Sequence, residues 1–482
     1  MKTFTKKRIC IGIIIILVLS IAYFVFSNLD LIKAAPIGVG YKAKILCSGI
    51  FVSHRDEESI LSEDLSYPPN MNIINAKVDY ENKSVTTSVF GIIKEKAIYR
   101  AGYGCTILSD KSEAVLRSQP AEILAPLPEN PDTVPWPNGD LMLSGEIPPN
   151  VDRELLDEAM PKVFFEHYPE RPRRTRAVVV VYDGKIISEQ YAPGFSKNTL
   201  HLGWSMTKSV TNALVGILVG QGKLSLHDPA PVPEWREPGD SRGDITLDQL
   251  LRMSSGLKFL EAYTDNPLSD VSKMLFQKPD TGAFAANMPL ETKPDQKWSY
   301  SSGTTNIISR VIRQTIGNQA EYTSFPRRVL FNRIGMRSAI MEMDASGTYV
   351  GSSYMYATAR DWARFGLLYL NDGIWEGERI LPEGWVAFSS TPTSTAPQGL
   401  YGAHFWLNRG NPDNPEDRPF PQLPTDMFLA QGVQGQTVVI IPSYKLVIVR
   451  LGMSHYGDWG FVSFVGDILQ AIKEEKSQTD MK

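Results

Sequence analysis

The feature that most constrains this chain is an uncharged apolar run of 18 residues near the N-terminus, from Ile9 to Phe26. A helix rising 1.5 Å per residue would carry this run across about 27 Å of a hydrocarbon core roughly 30 Å thick. Basic residues precede the run, whereas Asp30 and Lys33 balance each other beyond it. The positive-inside rule therefore predicts a single membrane span with residues 1–8 in the cytoplasm and the chain after about residue 30 exported.

A cleaved signal peptide is the alternative to a retained anchor at residues 9–26. The apolar core of a signal peptide typically has only about 7–15 residues, and no small-x-small cleavage site follows Phe26, so the anchor is favoured. The expected location is the inner or plasma membrane, with the folded part on the periplasmic or extracellular side. Net charge is −4, from 49 basic and 53 acidic residues, and this balance offers no general attraction to nucleic acid.

Export also decides how the three cysteines are interpreted. Cys10 lies inside the apolar run, and Cys47 and Cys105 follow it. Thiols outside the cytoplasm usually pair, so a Cys47–Cys105 disulfide is predicted, with two separate buried thiols as the alternative. The cysteines and the six histidines are too few and wrongly spaced for a zinc site, so no metal is predicted.

A proline-rich stretch divides the remaining chain. Residues 124–150 hold seven prolines, which fix φ and remove N–H donors, so 121–150 is predicted to be an extended connector. Before it, 35–120 contains β-rich runs and is predicted to be a small accessory region; the runs are AKILCSGIFVS, KSVTTSVFGII and IYRAGYGCTIL. After it, 151–475 is predicted to be an α+β domain, with hairpins turning at Asp183-Gly184 and Pro442-Ser443 and a last helix over 464–473.

A serine and a lysine three residues apart carry the strongest chemical signal. Ser205 and Lys208 begin an apolar-periodic helix that is predicted to end at Gly220 or Gly222. Residues three apart share a helix face, so the amine can reach the hydroxyl, and the positive end of the helix dipole favours the alkoxide. Because serine alone is a poor nucleophile, Lys208 must be held neutral or nearly so. The alternative is a serine N-cap beside a solvated lysine.

Two further segments accompany this pair. The first, WSYSSGTTN at 298–306, begins another helix and places Tyr300 in the turn before it. A core tyrosine with a satisfied hydroxyl is the alternative for that residue. The second, AQGVQGQ at 430–436, leads into the strand TVVIIP, where glycines permit a substrate to approach backbone N–H groups that can stabilise an oxyanion.

These motifs, in this order, resemble the signature of the serine β-lactamase and penicillin-binding-protein superfamily, S-x-x-K, then Y-x-N, then K-T-G. Over about residues 150–475 the chain is similar to class C β-lactamase-like esterases and, above all, to the 6-aminohexanoate-dimer hydrolase type of serine hydrolase. The resemblance implies the β-lactamase/DD-peptidase-like α+β fold, in which an antiparallel sheet has helices on both faces and an all-helical lobe beside it.

The resemblance also implies roles for individual residues. Ser205 would be the acyl-forming nucleophile and Lys208 the base that accepts its proton. Tyr300 would shuttle a proton to the leaving group, with its pKa lowered by Lys208. The oxyanion hole would consist of the backbone N–H groups of Ser205 and Val433.

The chain departs from the signature at two positions. Ser302 replaces the asparagine of Y-x-N, and Ala430-Gln431-Gly432 replaces K-T-G. A lysine or histidine in place of Ala430 normally supplies positive charge near a substrate carboxylate, so its loss weakens the case for β-lactams and for peptides ending in D-Ala-D-Ala. Ser302, Gln431 and Gly432 are candidate substrate contacts, although Ser302 could instead be a helix N-cap.

The sequence therefore predicts a membrane-anchored serine hydrolase that cleaves an amide or ester bond of a small molecule. It predicts no metal, no organic cofactor and no nucleic-acid partner. A cell-wall DD-peptidase or β-lactamase is one alternative. A non-catalytic binding or regulatory protein of the same fold is another.

Overall fold

The computed structural model describes residues 29–67, 69–142, 147–263, 266–411, 413–455 and 459–472. The apolar run at Ile9–Phe26 lies outside these ranges. Within them, no helix is both long enough and apolar enough to cross a membrane.

The accessory region begins with a long helix, which corrects one sequence prediction. Helix α1 (Leu29–Phe51) contains all but the last two residues of the run AKILCSGIFVS, for which β structure was predicted. A short apolar run cannot be assigned by periodicity alone, and this one is buried as a helix against a sheet. The region continues with α2 (Glu57–Ser59), the antiparallel strands β1 (Asn75–Asp79), β2 (Ser84–Val89), β3 (Ile93–Arg100) and β4 (Gly104–Ile107), and α3 (Glu113–Arg117).

A disulfide and a buried ion pair hold α1 in place. The predicted bond between Cys47 and Cys105 is present and joins α1 to β4. Beside it, the Lys44 amine lies 2.5 Å from the carboxylate of Glu342, a residue from the C-terminal half of the chain, and both side chains are fully buried. Glu342 also accepts hydrogen bonds from the Ser48 hydroxyl at 2.8 Å and the Cys105 N–H at 2.6 Å. The accessory region is thereby fixed to the remainder of the molecule.

Helices and strands alternate in the rest of the described chain. The helices are α4 (Arg153–Lys162), α5 (Met206–Gly220), α6 (Leu247–Leu251), α7 (Asp270–Gln277), α8 (Thr281–Ala286), α9 (Ser302–Ile316), α10 (Gln319–Pro326), α11 (Ala359–Leu370), α12 (Trp385–Ser389) and α13 (Phe461–Ala471). The strands are β5 (Thr175–Tyr182), β6 (Lys185–Tyr191), β7 (His201–Leu202), β8 (Ile340–Met341), β9 (Met355–Ala357), β10 (Ile374–Trp375), β11 (Glu378–Arg379), β12 (Trp406–Leu407), β13 (Phe428–Gly432), β14 (Gln436–Ile441) and β15 (Leu446–Gly452).

An antiparallel sheet in the order β12-β13-β14-β15-β5-β6 forms the centre of this part. Its first strand along the chain, β5, lies inside the sheet and pairs with the last strand, β15. Side chains of β5 alternate between two apolar clusters: Val178 and Val180 pack with α4 and α13, whereas Val179 and Val181 pack with α5 and α11. Helices therefore cover both faces of the sheet, and α6–α10 form the helical lobe, which confirms the predicted α+β fold.

Both predicted hairpins are present. The β5–β6 turn uses Asp183 and Gly184 at φ +45° and +77°, and Pro442–Tyr444 forms a single 3-10 turn between β14 and β15. The last helix begins and ends earlier than the predicted 464–473. The connector follows the surface of the main domain, where Arg364 donates hydrogen bonds to the carbonyls of Pro137 and Gly139. The division at 120 and 150 stays a prediction, because one apolar cluster includes side chains from both sides of the connector.

Candidate active site

A tight turn presents Ser205 at the start of α5. The chain leaves β7, and Trp204 takes φ +47°, a left-handed conformation that non-glycine residues rarely adopt. Ser205 then occupies the N-cap position of α5 with its side chain half-buried. The Trp204 indole N–H donates a 3.0 Å hydrogen bond to the side-chain oxygen of Gln434, so the turn is tied to the segment that follows β13.

Lys208 lies one turn into α5 with its amine directed at Ser205. The side chain is 1% exposed, and Nζ lies 2.9 Å from the Ser205 Oγ. Its other two hydrogen bonds go to the Ser302 Oγ and to the Ser352 carbonyl, both at 3.0 Å. Burial lowers the pKa of Lys208 to about 8, while the Glu261 carboxylate acts in the opposite direction. An amine with this pKa is neutral often enough near neutral pH to accept the serine proton.

Glu261 was not identified from the sequence. It accepts hydrogen bonds from the backbone N–H of Ser302 at 2.8 Å and from the Ser302 hydroxyl at 2.6 Å. Tyr263 also donates to it, at 3.2 Å. Nothing in the local sequence marks Glu261, because the loop that holds it is joined to α9 only in three dimensions.

Ser302 is fully buried and is the first residue of α9. The N-cap of that helix is Ser301, whose hydroxyl accepts from the Thr304 N–H. The Ser302 hydroxyl accepts a hydrogen bond from Lys208 and donates one to Glu261, so it connects the amine to the carboxylate. A contact between Ser302 and substrate stays a prediction.

Tyr300 stands beside the serine and the lysine, but its predicted ionisation is wrong. The Lys208 amine lies 4.8 Å from the centre of the Tyr300 ring. Burial and the Glu261 carboxylate raise the pKa of Tyr300 above its usual range, although a side-chain hydrogen bond with Ser205 opposes them. The family resemblance implies the opposite direction, a pKa lowered by Lys208. Tyr300 is instead a neutral phenol at physiological pH, which is a proton donor.

Tyr300 belongs to a group of four packed aromatic rings. Its ring stacks on Trp406 with centres 5.3 Å apart and meets Tyr401 edge to face at 5.8 Å. Trp298 packs against both Tyr401 and Trp406. We define the aromatic wall as Trp298, Tyr300, Tyr401 and Trp406. It fixes the orientation of Tyr300 and gives one side of the site an apolar lining.

The end of β13 lies directly against the nucleophile turn. A Cβ on Gly432 would meet the Gly203 carbonyl oxygen at 2.2 Å and the Trp204 Cβ at 3.1 Å, so only glycine fits there. Val433 follows with its side chain 40% exposed, and Gln434 adopts φ +65°. Gln431 is half-buried and pairs with Thr437 of β14. The structure therefore brings Gly432 beside Ser205, while the roles of Val433 and Gln431 stay predictions.

Two histidines differ in their relation to this site. The Nε2 atom of His455 lies 3.3 Å from the guanidinium of Arg174. His404 is buried behind α5, where its Nδ1–H donates to the Lys208 carbonyl at 2.9 Å and its Nε2 accepts from Thr305 at 3.1 Å. Burial lowers the pKa of His404 to about 3, with Lys208 adding to the effect, so this ring is neutral and supports the helix backbone.

A cavity of about 720 Å³ lies where the accessory region, the connector and the main domain meet, lined by residues such as Tyr103, Arg327 and Asp361, and its lining does not include Ser205. Within the described ranges, His, Cys, Asp and Glu side chains form no group that could hold a metal ion.

A sheet with helices on both faces and a buried lysine beside a serine at the start of a helix are typical of a class of serine hydrolases. The beta-lactamase family model matches residues 162–461, more than half of the chain. The chain therefore belongs to the beta-lactamase family.

Known proteins are similar to this chain in sequence or in fold. The 6-aminohexanoate-dimer hydrolase of Paenarthrobacter ureafaciens is 25% identical over 302 residues, which cover 58% of this chain and 72% of that protein. A solved penicillin-binding protein homologue from Caulobacter crescentus aligns with a TM-score of 0.50 at 15% identity, over 68% of this chain and 99% of its own. A family VIII carboxylesterase structure gives the same TM-score and identity, over 68% and 98%. The two structures show the shared fold.

Proposed function

We propose that this protein is a serine hydrolase that cleaves an amide or ester bond of a small molecule through an acyl-enzyme on Ser205. One observation carries the proposal: the buried amine of Lys208 lies 2.9 Å from the Ser205 Oγ, and its pKa is lowered to about 8. A serine with a neutral amine at hydrogen-bond distance has a base that can remove its proton during attack.

Acylation begins when the Ser205 Oγ attacks the carbonyl carbon of the substrate. The hydroxyl proton passes to the Lys208 amine, and the carbonyl π pair moves onto oxygen. The backbone N–H groups of Ser205 and Val433 would hold the resulting oxyanion. The Ser205 N–H is suited to this because it lies at the positive end of α5. Gly432 supports the Val433 assignment, since it lets the end of β13 lie beside the serine.

The leaving group departs when the bond between carbonyl carbon and nitrogen or oxygen breaks. Its electron pair takes a proton from the Tyr300 hydroxyl, and the Lys208 ammonium supplies the replacement proton. Tyr300 can take this role because its phenol is protonated at neutral pH and has a proton to give; its raised pKa makes it a weaker acid than an exposed tyrosine. Water then attacks the ester of Ser205, releases the acid and restores the free serine.

The substrate class follows from what the site lacks. Ala430 is buried in β13 where the superfamily signature has lysine, so this position supplies no cation for a substrate carboxylate. The aromatic wall offers apolar contact instead. Similar proteins named as a 6-aminohexanoate-dimer hydrolase and a carboxylesterase support amides and esters as substrates. The β-lactamase and DD-peptidase alternatives are weaker because of Ala430.

We further propose that the chain is anchored in the inner or plasma membrane by residues 9–26, with the hydrolase on the exported side. The Cys47–Cys105 disulfide supports an oxidising compartment, since such bonds are rare in cytosolic proteins.

Active-site labelling tests the catalytic proposal. The full chain in detergent is treated with a fluorophosphonate, a p-nitrophenyl ester, a linear ω-amino-acid dimer and a chromogenic cephalosporin, and adducts are located by mass spectrometry. We expect the fluorophosphonate on Ser205, turnover of ester or dimer, and loss of both in Ser205→Ala. Ser112→Ala is the matched control, because Ser112 caps the exposed helix α3 far along the chain from the site.

The same experiment separates the alternatives. Turnover of the cephalosporin but not of ester or dimer would favour the β-lactamase alternative. Absence of any adduct on Ser205 together with absence of all turnover would favour a non-catalytic protein of this fold.

A further inference from the structure

Exposed apolar side chains gather at one end of the accessory region. Phe90 and Ile92 form the turn between β2 and β3 and are 81% and 83% exposed. Ile73 and Ile32 are 47% and 39% exposed. We call Ile32, Ile73, Phe90 and Ile92 the hairpin surface. Single exposed apolar residues are ordinary, but two at the tip of one turn with two more close by form a patch that needs a partner.

The hairpin surface lies on the N-terminal half of α1. Val89 and Ile93, which flank the turn, belong to the same apolar cluster as Val39 of α1. The Thr87 hydroxyl on β2 also donates a 2.8 Å hydrogen bond to the Val39 carbonyl. The opposite end of the sheet meets the opposite end of the helix, where the rings of Phe51 and Tyr80 are 6.1 Å apart. Strands and helix are therefore aligned, with the exposed turn beyond Val39 in the direction of the start of α1.

The other two members lie at the same end. Ile32 precedes Val39 by seven residues and so shares its helix face, two turns closer to the start of α1. Ile73 lies between Met71 and Ile74, which pack with Val39. The Lys42 amine fixes this segment by donating to the Met71 and Ile74 carbonyls at 3.1 and 2.7 Å. The four apolar side chains are thus presented by three rigidly connected elements.

Charge and chain connectivity point to one occupant. Lys94 beside the turn is exposed, and a cation next to an apolar tip suits the anionic headgroups of a bilayer, whereas the exposed Lys33 and Asp30 on α1 balance each other. Only three residue steps separate Phe26, the end of the apolar run, from Leu29, the start of α1. A chain of three residues spans at most about 11 Å, so a membrane span at 9–26 holds this end of α1 at the bilayer surface.

We propose that the hairpin surface inserts into the boundary between headgroups and acyl chains, as a second membrane contact beside the anchor. This rests on the membrane location in the proposed function and is independent of the hydrolase activity. The contact fixes the accessory region against the bilayer, so that the domain is held in one orientation rather than swinging on a tether.

Fluorescence in vesicles tests the proposal. The full chain with Cys10→Ala, which leaves only the disulfide cysteines, receives Ile92→Cys and is labelled with the dye NBD. It is reconstituted in vesicles of phosphatidylcholine and phosphatidylglycerol. We expect a blue shift on reconstitution and quenching by lipids spin-labelled near the headgroup. Glu81→Cys is the matched control, because it lies in the exposed β1–β2 turn at the other end of the same sheet, and we expect no shift there.

Three outcomes would overturn the proposal. The first is an NBD emission maximum that is the same at position 92 as at position 81, although the chain sediments with the vesicles. The second is a shift that depends on protein concentration without lipid, which would indicate a second copy of the chain. The third is absence of the chain from the vesicle fraction, which would also overturn the proposed location. Ester turnover, measured on the same samples, reports separately on the catalytic proposal.

A second pair of substitutions probes the surface without a dye at its tip. Phe90→Ser with Ile92→Ser removes both tip side chains, which touch nothing in the catalytic cluster. With the probe moved to Ile73→Cys, we expect the blue shift in vesicles to fall while ester turnover stays unchanged. An unchanged shift at that position would contradict insertion through the turn.

Discussion

Glu261 accepts two hydrogen bonds from Ser302, one from the backbone N–H at 2.8 Å and one from the hydroxyl at 2.6 Å. The same hydroxyl accepts a hydrogen bond from the Lys208 amine. The carboxylate is thus held one side chain away from the amine. It raises the pKa of Lys208 against the larger effect of burial, which lowers it. The balance of these two effects sets the pH at which the candidate base becomes available.

The first prediction concerns pH. The base must be neutral, so kcat/KM for a neutral ester should rise with pH through about 8, the pKa of Lys208. Glu261→Gln removes the charge that raises this pKa. The rising limb of the pH–rate profile should therefore move to lower pH, even if the maximal rate falls. Glu291→Gln is the control, since Glu291 is an exposed partner of Lys297. A limb that stays in place or moves to higher pH in Glu261→Gln would contradict the assignment.

The second prediction concerns Tyr300→Phe. The change keeps the ring in the aromatic wall and removes only the hydroxyl. Amide turnover should fall by about 10²–10⁴-fold, the usual contribution of a general acid. Turnover of a p-nitrophenyl ester should fall far less, because p-nitrophenolate leaves without a proton. Steady-state rates on matched amide and ester substrates measure the difference, and equal losses on both would refute the proton-donor role.

The third prediction concerns Gly432→Ala. The added methyl meets the Gly203 carbonyl oxygen, so β13 must move away from the nucleophile turn. Displacement of a catalytic group by about 1 Å can reduce a rate by about 100-fold, and we expect a loss of that order in kcat/KM. Gly466→Ala is the control: it lies in α13 with open space around it, and should raise the free energy of unfolding by about 0.5–1 kcal/mol with activity unchanged. Wild-type activity in Gly432→Ala would show that this contact is not needed.

The fourth prediction concerns the Lys44–Glu342 ion pair. Lys44→Met leaves the Glu342 carboxylate buried without its cation, and should lower the free energy of unfolding by about 3–5 kcal/mol. Adding Glu342→Gln should recover part of the loss, because an amide costs less to bury than a carboxylate. Denaturant unfolding measures both. Lys197→Met, which breaks the surface pair with Asp132, is the control and should change little.

Features encoded within short stretches of sequence were predictable. The spacing of Ser205 and Lys208 on α5 follows from helix geometry, and Asp183-Gly184 specifies its turn through positive φ. The fold could be predicted because the motifs that carry it are local and occur in a characteristic order.

Features that depend on distant contacts were not predictable. Glu261 and the Ser352 carbonyl reach Lys208 through loops whose positions no periodicity reports. The pKa of Tyr300 was predicted in the wrong direction, because burial and a nearby carboxylate outweigh the expected effect of the lysine. The start of the accessory region was misassigned for a similar reason, since a buried apolar run looks alike in a helix and in a strand.

The three hydrogen bonds of Lys208 determine how its loss of a proton affects the serine. An ammonium has three N–H donors, and the Ser205 Oγ, the Ser302 Oγ and the Ser352 carbonyl accept one each. A neutral amine keeps two donors and gains a lone pair. The Ser352 carbonyl has no proton to offer, and the Ser302 hydroxyl proton is already directed at Glu261. Only the Ser205 hydroxyl can turn its proton toward the lone pair, so deprotonation of Lys208 by itself reverses that hydrogen bond and aims the serine oxygen's free electron pairs away from the amine.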